Sequence, residues 1–448
     1  MDQNRLTQNG PTAFEVSNRR VLAIAIPMTL AYITTPMLGV VDTAVVGQFG
    51  DAALLGGLAA GAIVFDVVFT SFNFLRSGTT GLVAQAFGRG DTGQERAVLL
   101  RAGAIALACG LALILLAPLV AALGEWFMAA EPRVTAAMDT YIRIRLLSAP
   151  ASLLNYAMLG YFLGRGEAGM GLFLQLVLNG VNIALSVLFG LHFGWGIEGV
   201  AWGTVCGEAV AMLLALAIIA RRFAAMPKIA WREIFEATAM RRMLALNGDI
   251  MIRSFVLMGA FTLLTRQAAQ IGTVTLAANA VLMHFFMVSS YFLDGFATAA
   301  EQLAGRAVGA RYLPAFNRAI RLTSLWGFAL AGVASMVVLL FGERLIGLVT
   351  TAEAVQAEAA IYLPWAAFTA LSGVMAFQMD GVFIGATWSR DMRNMMLLSF
   401  AAFVASLAVF GHFFGNHGLW AALHVFLIAR GLSLLSIVPR NVRATFAG

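Results

Sequence analysis

The chain has 448 residues, of which 60% are hydrophobic and 12% are charged. Soluble globular proteins carry about 45–50% apolar and about 25% charged residues, so this composition excludes a soluble enzyme, a disordered protein and a small disulfide-stapled secreted domain. The net charge of +6 comes from short basic clusters between apolar runs, not from one basic stripe of the kind that binds nucleic acid. A polytopic membrane protein remains, with the lipid bilayer as its partner and no nucleic acid.

Apolar runs long enough to cross a bilayer, about 20 residues each, occur twelve times along the chain. The first follows a polar stretch and Arg19-Arg20, and it is too long for a cleavable signal peptide. The predicted spans are 21–48, 55–82, 102–123, 141–163, 169–190, 199–220, 250–271, 276–303, 322–341, 361–385, 395–414 and 419–438.

Basic residues predict the orientation of these spans. Of the 29 lysines and arginines, 21 lie before the first span, after the last, or in the loops that follow even-numbered spans, whereas the opposite loops carry mainly glutamates. By the positive-inside rule, both termini are expected in the cytoplasm, in a multi-pass protein of the inner (plasma) membrane.

The two halves of the chain repeat each other. The motif Gly-x-Phe-x-Gly at 160–164 recurs at 381–385, an offset of 221, and Gln-x-x-Gly-Arg at 85–89 recurs at 302–306. Such repeats are typical of transporters that bind substrate between two related lobes.

The sequence therefore predicts an all-α polytopic membrane protein with 12 transmembrane helices in two pseudo-symmetric six-helix lobes and a central cavity. The N-lobe is expected over 1–220 (helices 1–6), a cytoplasmic linker over 221–249, and the C-lobe over 250–448 (helices 7–12).

Ionisable residues inside the spans are functional candidates, because each costs about 2.5–3.5 kcal/mol at the bilayer centre. Asp249 and Arg253 are four residues apart and are expected to pair along one helix face. For most of the others a structural ion pair is the competing interpretation. The full set is Asp42, Asp66, Arg76, Glu208, Asp249, Arg253, Asp294, Glu301, Asp380 and Arg430.

Asp42 differs from the rest of this set. The nearest basic residue on its own predicted helix is Arg20, and Pro27 and Pro36 precede it. Proline removes a backbone donor and weakens the helix, so these residues predict a hinged helix that carries a titratable carboxyl, as proton-driven switching requires. The alternative is a carboxylate held by hydrogen bonds from neighbouring helices.

Uncharged polar residues cluster in the same half of the chain. Asn155, Asn179, Asn182 and Thr204 each lie within a predicted span, and they are candidates for lining a substrate cavity. Interhelical hydrogen bonds explain such residues equally well, so only their convergence on Asp42 would make a site.

Catalytic and metal-binding motifs are absent from the sequence. There is no Gly-Lys pair for a phosphate-binding loop, no His-Glu-x-x-His, and no Cys/His set at metal-ligand spacing. We therefore expect no enzyme activity, no catalytic residues, no metal and no cofactor, with transport driven by an ion gradient.

Three segments resemble the multidrug and toxic compound extrusion (MATE) transporters. Residues 39–55 (GVVDTAVVGQFGDAALL) are similar to the first helix of that family, and residues 75–86 (LRSGTTGLVAQA) and 380–394 (DGVFIGATWSRDMRN) to motifs of its DNA-damage-inducible F (DinF) branch. The resemblance implies a twelve-helix, two-lobe antiporter that exports amphipathic or cationic organic compounds against proton or sodium entry. It implies that Asp42 is the carboxylate whose protonation bends the first helix at Pro27.

The same resemblance implies that Asn155, Asn182 and Thr204 line the N-lobe cavity. Relatives commonly carry a second acidic residue four positions after the helix-5 asparagine, where this chain has Ser186. This departure favours a proton over sodium. The chain also lacks the helix-7 acid of the sodium-coupled branch, so Asp380 is expected to be structural and near Arg253.

Three other interpretations stay open. A sodium-coupled exporter is one. A flippase for a lipid-linked precursor would use Arg76, Arg253 and Arg430 to hold a phosphate. An intramembrane acyl or glycosyl transferase would need a nucleophile or acid–base cluster. Arg76, Arg253, Asp294 and Asp380 are retained as further charged site candidates, and a monomer is expected.

Overall fold

The computed structural model describes residues 13–226 and 229–447, and over these it is helical throughout, with no β-strand. Residues 1–12 of the predicted N-lobe, 227–228 of the predicted linker and 448 of the predicted C-lobe lie outside the described residues. The helices are α1 Asn18–Gly47, α2 Ala52–Thr70, α3 Phe74–Arg89, α4 Thr92–Leu115, α5 Ala117–Met128, α6 Pro132–Leu146, α7 Ala149–Gly164, α8 Ala168–Leu185 with a π-helical extension Ser186–His192, α9 Ile197–Ala224, α10 Trp231–Ile234, α11 Ala237–Ile271, α12 Thr273–Gly309, α13 Leu313–Val349, α14 Glu353–Gly385 and α15 Ser389–Phe446.

Local sequence explains where several helices begin. Asp51 caps α2 by accepting a hydrogen bond from the Ala53 backbone N–H at 2.9 Å, and Asp91 caps α4 by accepting from that of Gln94 at 2.9 Å. Carboxylates are among the best N-cap groups because they satisfy backbone donors that the first turn leaves unpaired. Polar residues in these two short loops thus separate long apolar helices.

Most of the helices can cross a membrane. Within the described ranges ten helices or helix pairs are long and apolar enough, and eleven if the bent pair α6–α7 counts as one span. Large apolar side chains lie exposed on them, including Leu115 at 81% and Leu348 at 83%. Such surface is unfavourable in water and matches a lipid-facing surface.

The last helical stretch accounts for two predicted spans. α15 is 58 residues long, roughly 87 Å at 1.5 Å per residue, whereas a bilayer core is about 30 Å thick. Gly415, within it, has φ 53° and ψ −127°, a backbone conformation that favours glycine. The predicted spans 395–414 and 419–438 are therefore two helices that meet at this glycine.

The predicted span 141–163 is not one straight helix. The structure contains two helices, α6 and α7, bent by 53° across a short break. Pro150 lies in the first turn of α7 and has no N–H to bond to the preceding turn. The Ser148 hydroxyl instead donates to the Arg145 carbonyl at 2.8 Å. The proline was visible in the sequence, but the predicted span ran through it.

Contacts divide the described chain into two compact units. The residues up to Thr29 form one unit with Ala84–Gly90 and the chain from Gly248 onwards, and Leu30–Val83 with Asp91–Asn247 form the other. We call these the C-unit and the N-unit. The boundary within α1 falls between Pro27 and Pro36. The lobe and linker boundaries predicted from sequence stay a prediction.

Each unit has its own apolar cores. In the N-unit, Val45 and Val46 of α1 pack with Leu58 of α2, Tyr141 of α6 and Val200 of α9. This cluster holds four helices together around the segment of α1 that carries Asp42. In the C-unit the largest core joins α11, α12, α13, α14 and α15 through residues such as Phe403 and Phe426.

Candidate functional site

Asp42 is buried in the N-unit, with 7% of its surface exposed. Its carboxylate oxygen Oδ1 is buried and has no hydrogen-bond partner among the described residues. The side chains that face the carboxyl come from other helices, namely Arg145 of α6 and Ser186 at the start of the π-helical extension. A buried carboxylate oxygen without a partner is unfavourable, so this group is suited to binding a proton or a cation.

The helix that carries Asp42 has a weakened backbone ladder. α1 runs from Asn18 to Gly47 without a break, and both Pro27 and Pro36 lie inside it. The hydroxyls of Thr34 and Thr35 both donate to the Ala31 carbonyl, at 2.8 and 3.3 Å. Back-bonding of this kind often accompanies helix bending. The bending role of the two prolines stays a prediction.

A hydrogen-bonded chain of polar side chains lies next to Asp42. The Ser186 hydroxyl donates to Asn182 Oδ1 at 3.3 Å, and Asn182 Nδ2 donates to the Thr204 hydroxyl at 2.8 Å. Thr204 in turn donates to the Val200 carbonyl at 3.2 Å. The structure therefore brings Asn182 and Thr204 together beside the carboxyl, linked to it through Ser186.

Close packing at Ser186 depends on a glycine. A Cβ atom placed on Gly203 of α9 would lie 2.7 Å from the Ser186 backbone nitrogen and 2.7 Å from its hydroxyl. Only glycine lets α9 approach the π-helical extension this closely. Short π segments are frequent at functional sites, and this one begins at Ser186.

Asn179 contacts α1 at a different place. Its Nδ2 donates to the Thr34 hydroxyl at 3.0 Å, and its Oδ1 accepts from Gln175 Nε2 at 2.9 Å. Asn179 and Asn182 are three residues apart on α8. Asn179 therefore contacts α1 about two turns after Pro27 and about two turns before Asp42.

Asn155 reaches the helix that carries Thr204. Its Nδ2 donates to the backbone carbonyl of Glu208 at 3.0 Å. The Glu208 side chain is 12% exposed and pairs with Arg145, with Nη1 and Oε1 3.4 Å apart. The structure thus brings Asn155 to Glu208 and not directly to the Asp42 carboxyl.

Arg145 is the residue of this site that sequence reasoning missed. It is 8% exposed, and its guanidinium carbon lies 4.0 Å above the ring of Phe65. The signal was present, because Arg145 lies inside the predicted span 141–163 and meets the same criterion as the other intramembrane charges. Its proximity to Asp42 could not be read from sequence, since the two residues are 103 positions apart on separate helices.

The charged candidates of the C-unit form a separate cluster. The carboxylate of Asp380 accepts from both Arg253 and Arg430 through its Oδ2, so Asp380 lies near Arg253 as expected, and its structural role stays a prediction. The predicted pair between Asp249 and Arg253 is wrong. Asp249 instead accepts from Arg393 at 2.5 Å and from the Ser389 hydroxyl at 2.8 Å, because α15 brings a better-placed donor than the next turn of α11.

The remaining candidates have local partners. Arg76 of α3 donates to Asn73 Oδ1 at 3.3 Å and to the Ser77 hydroxyl at 3.0 Å. Asp66 lies on the preceding helix, α2, and Arg145 faces its carboxyl. Asp294 lies near Tyr291 of the same helix. In the part of the chain that the structure describes, no three His, Cys, Asp or Glu side chains form a group that could hold a metal ion.

The MatE family model matches the chain twice, over residues 27–188 and 250–410. The chain is also 38% identical over 439 residues to the DNA damage-inducible protein F of Escherichia coli (strain K12). The aligned region covers 95% of this chain and 93% of that protein. The chain belongs to the MatE family. Two matches spaced close to the offset of 221 are what a duplicated MATE chain would produce.

Other MATE relatives and structures agree with this assignment. A probable multidrug resistance protein NorM of Rhizobium meliloti (strain 1021) is 26% identical over 356 residues, 75% of this chain and 72% of that protein. The outward-facing conformation of a multidrug resistance MATE family transporter of the MOP superfamily matches with a TM-score of 0.85 at 18% identity, over 96% of both chains.

A MOP superfamily transporter from Pyrococcus furiosus Vc1 (DSM3638), described as having a binding pocket of reverse polarity, matches with a TM-score of 0.86 at 17% identity, over 95% of this chain and 96% of that one. At such identities these likenesses show the fold. The predicted all-α polytopic membrane fold and the predicted family are confirmed. MATE proteins are membrane transporters.

Proposed function

We propose that this chain is a secondary active exporter that moves amphipathic or cationic organic compounds out of the cell in exchange for protons, by alternating access. Asp42 is the coupling residue, and both termini lie in the cytoplasm of a cell whose inner membrane the chain spans. Asn155, Asn179, Asn182 and Thr204 line the substrate cavity. The protein works as a monomer without a cofactor.

The observation that carries this proposal is the environment of Asp42. The carboxyl is buried, one of its oxygens has no hydrogen-bond partner among the described residues, and hydroxyl and amide groups from two further elements lie beside it. Amide and hydroxyl groups can orient an organic cation, and the open oxygen can take a proton. With Ser186 in place of a second acid, one carboxyl carries the coupling, which favours a proton over sodium.

The flippase alternative finds less support. It requires intramembrane arginines that are available to a phosphate, and Arg253 and Arg430 both donate to Asp380. The names of the relatives also favour drug export, since the NorM proteins are described as multidrug resistance proteins.

The proposal is tested by dye transport into energised inverted vesicles or proteoliposomes. A cationic dye such as ethidium is expected to accumulate with the parental chain, and Asp42→Asn is expected to reduce accumulation at least tenfold, because the amide cannot exchange a proton. Asp51→Asn is the matched control. Asp51 lies nine residues further on, caps α2 and pairs with an arginine that is 77% exposed, and asparagine caps helices as well as aspartate does.

Two outcomes contradict the proposal. If Asp42→Asn transports as well as Asp51→Asn, Asp42 is not the coupling residue. If a protonophore leaves transport unchanged while removal of sodium stops it, the driving ion is sodium. An unfolding temperature of the purified Asp42→Asn protein equal to that of Asp51→Asn shows that a loss of transport is not a loss of folding.

A further inference from the structure

Arg145 occupies a position between several acidic groups of the N-unit. Its guanidinium faces the carboxyls of Asp42 and Glu208, and also that of Asp66, an exposed residue of α2. A single guanidinium therefore attracts carboxyls that lie on three different helices, α1, α2 and α9.

The remaining titratable and hydrogen-bonding groups around these carboxyls are few. Tyr141 of α6 faces both Asp42 and Arg145, and Ser186 faces Asp42. Ser148 of the α6–α7 bend and Tyr156 of α7 face Glu208, and Tyr156 is also near Arg76. Arg145 is thus the guanidinium that acts on both Asp42 and Glu208.

The bond between Arg145 and Glu208 is incomplete. Nη1 and Oε1 are 3.4 Å apart, longer than the 2.7–2.9 Å of a strong charge-assisted bond. Arg145 Nε, Glu208 Oε2 and Asp42 Oδ1 are all buried and have no hydrogen-bond partner among the described residues. One donor and two acceptors are left open, and the donor cannot satisfy both acceptors at once.

We propose that Arg145 is a positioning residue that Asp42 and Glu208 share, and that Glu208 holds it away from Asp42 so that the Asp42 carboxylate stays available to a proton or to a cationic substrate. When Asp42 is ionised and empty, Arg145 moves toward it. When Asp42 takes a proton, Arg145 returns fully to Glu208. The inference rests on the proposed coupling role of Asp42 and assigns a new role to the other two residues.

This arrangement links binding to helix position. α1 carries Asp42, α6 carries Arg145 and α9 carries Glu208, so each change of partner alters the attraction between α6 and its two neighbours. A cationic substrate on Asp42 replaces the attraction of Arg145, as a proton does. Proton and substrate then compete for one site, as an antiporter requires.

The test measures how dye binding to the purified protein depends on pH. A cationic dye is held well below its Kd, its fluorescence polarisation is followed from pH 5 to 9, and the midpoint of the pH dependence is compared between variants. An opposite charge within about 4–6 Å moves the titration of a carboxyl by about 1–3 pH units, so the expected midpoint shifts are about one unit or more.

The two single variants are expected to shift the midpoint in opposite directions. In Glu208→Gln, Arg145 no longer pairs with residue 208 and interacts with Asp42 alone. This stabilises the ionised Asp42 carboxyl, so the midpoint of the pH dependence falls. Arg145→Gln removes the positive charge, so the midpoint rises. The double variant leaves no arginine for Glu208 to hold, so its midpoint is expected to lie within about 0.3 units of that of Arg145→Gln, whereas two independent charge effects would add.

Matched controls come from the same helices. Arg143→Gln changes an exposed arginine of α6 that pairs with Asp139, and Glu198→Gln changes an exposed acid in the first turn of α9; neither should move the midpoint. Arg145→Lys keeps the charge and is expected to stay close to the parental midpoint, so it remains informative if Arg145→Gln fails to fold.

The outcomes separate this inference from the proposed function. If Asp42→Asn abolishes the pH dependence while Glu208→Gln and Arg145→Gln leave the midpoint unchanged or shift it in the same direction, the shared-arginine inference is wrong and the coupling role of Asp42 stands. If Asp42→Asn retains the parental midpoint, the coupling role itself is wrong.

Discussion

Two buried aspartates of this protein differ in their partners. Each has one carboxylate oxygen, Oδ1, without a hydrogen-bond partner among the described residues, but the other oxygen of Asp380 accepts from two arginines, whereas the side chains that face Asp42 are Arg145 and Ser186. Removal of one partner of a buried ion pair destabilises a protein by about 3–5 kcal/mol, because the other charge stays buried without a partner. We therefore expect Asp380 to contribute mainly to stability and Asp42 to contribute mainly to coupling.

This difference predicts the effect of Asp380→Asn. The variant is expected to lose about 3–5 kcal/mol of stability, since the Arg430 side chain is only 4% exposed and would lose its carboxylate. Asp391→Asn is the control, because Asp391 pairs with Arg440, whose side chain is 67% exposed, and such pairs contribute about 0–1 kcal/mol. Thermal unfolding of the two purified variants in detergent makes the comparison.

A triple variant also tests the structural role of Asp380. Replacing the whole cluster, as Arg253→Met, Asp380→Leu and Arg430→Met together, is expected to be less destabilising than Asp380→Asn alone, because no buried charge is left without a partner. Equal unfolding temperatures for Asp380→Asn and Asp391→Asn would contradict the structural role of Asp380.

At the scale of helices, the repeated glycine motifs act as packing positions. Gly305 of α12 and Gly385 of α14 face each other in the C-unit. A Cβ on Gly305 would lie 2.9 Å from the Gly385 carbonyl oxygen. The Gln85 side chain also donates to that carbonyl, at 3.0 Å. Small residues let helix backbones approach closely inside a membrane, so the motifs that revealed the duplication hold α3, α12 and α14 together.

Gly385→Ala is expected to destabilise the protein by about 1–3 kcal/mol, the range for overpacking. Its Cβ would lie 2.9 Å from the Glu301 carbonyl carbon and 2.9 Å from the Gly305 nitrogen, both backbone atoms that cannot move alone. Gly332→Ala is the control. No atom lies within 4 Å of a Cβ at Gly332, and alanine stabilises an open helix position by about 0.5–1 kcal/mol relative to glycine.

The measurement is again the unfolding temperature of the purified variants in detergent. The two glycine substitutions are expected to shift it in opposite directions. A Gly385→Ala protein as stable as the Gly332→Ala protein would show that α12 and α14 are further apart than the structure places them.

At the scale of the whole molecule, the predicted orientation follows from the positions of basic residues. The twelve predicted spans place the loop before α4 and the loop before α15 on the cytoplasmic side, and the loops before α6 and α14 on the opposite side. Both native cysteines, Cys109 and Cys206, are free thiols, so a cysteine-free chain can be made by two alanine substitutions.

Single cysteines in that background test the orientation. Glu131→Cys and Thr351→Cys are expected to react with a membrane-impermeant maleimide in intact cells. Thr92→Cys and Arg390→Cys are expected to react only after the cells are permeabilised. All four positions are exposed, so access is decided by the membrane. A fully reversed pattern would overturn the predicted orientation, and equal labelling of Thr92→Cys and Glu131→Cys would overturn the single span between them.

Much of the fold could be predicted from sequence because its causes are local. The length of an apolar run and the charge of the loop after it act one segment at a time, so most apolar spans could be predicted without knowledge of packing: twelve were predicted, and ten or eleven are found among the described residues. The bend before Pro150 was equally local and was missed because hydropathy does not register a proline. The family followed from three short motifs.

The partners of the buried charges required the tertiary structure. The i,i+4 spacing predicted a pair between Asp249 and Arg253, yet each pairs with a residue from another helix, Arg393 and Asp380. The sequence by itself determined that lipid would exclude a few charges and that Asp42 has no partner on its own helix. Only the packing and rotation of the helices decided that Arg145 lies between Asp42 and Glu208, because those angles depend on contacts between residues far apart in the chain.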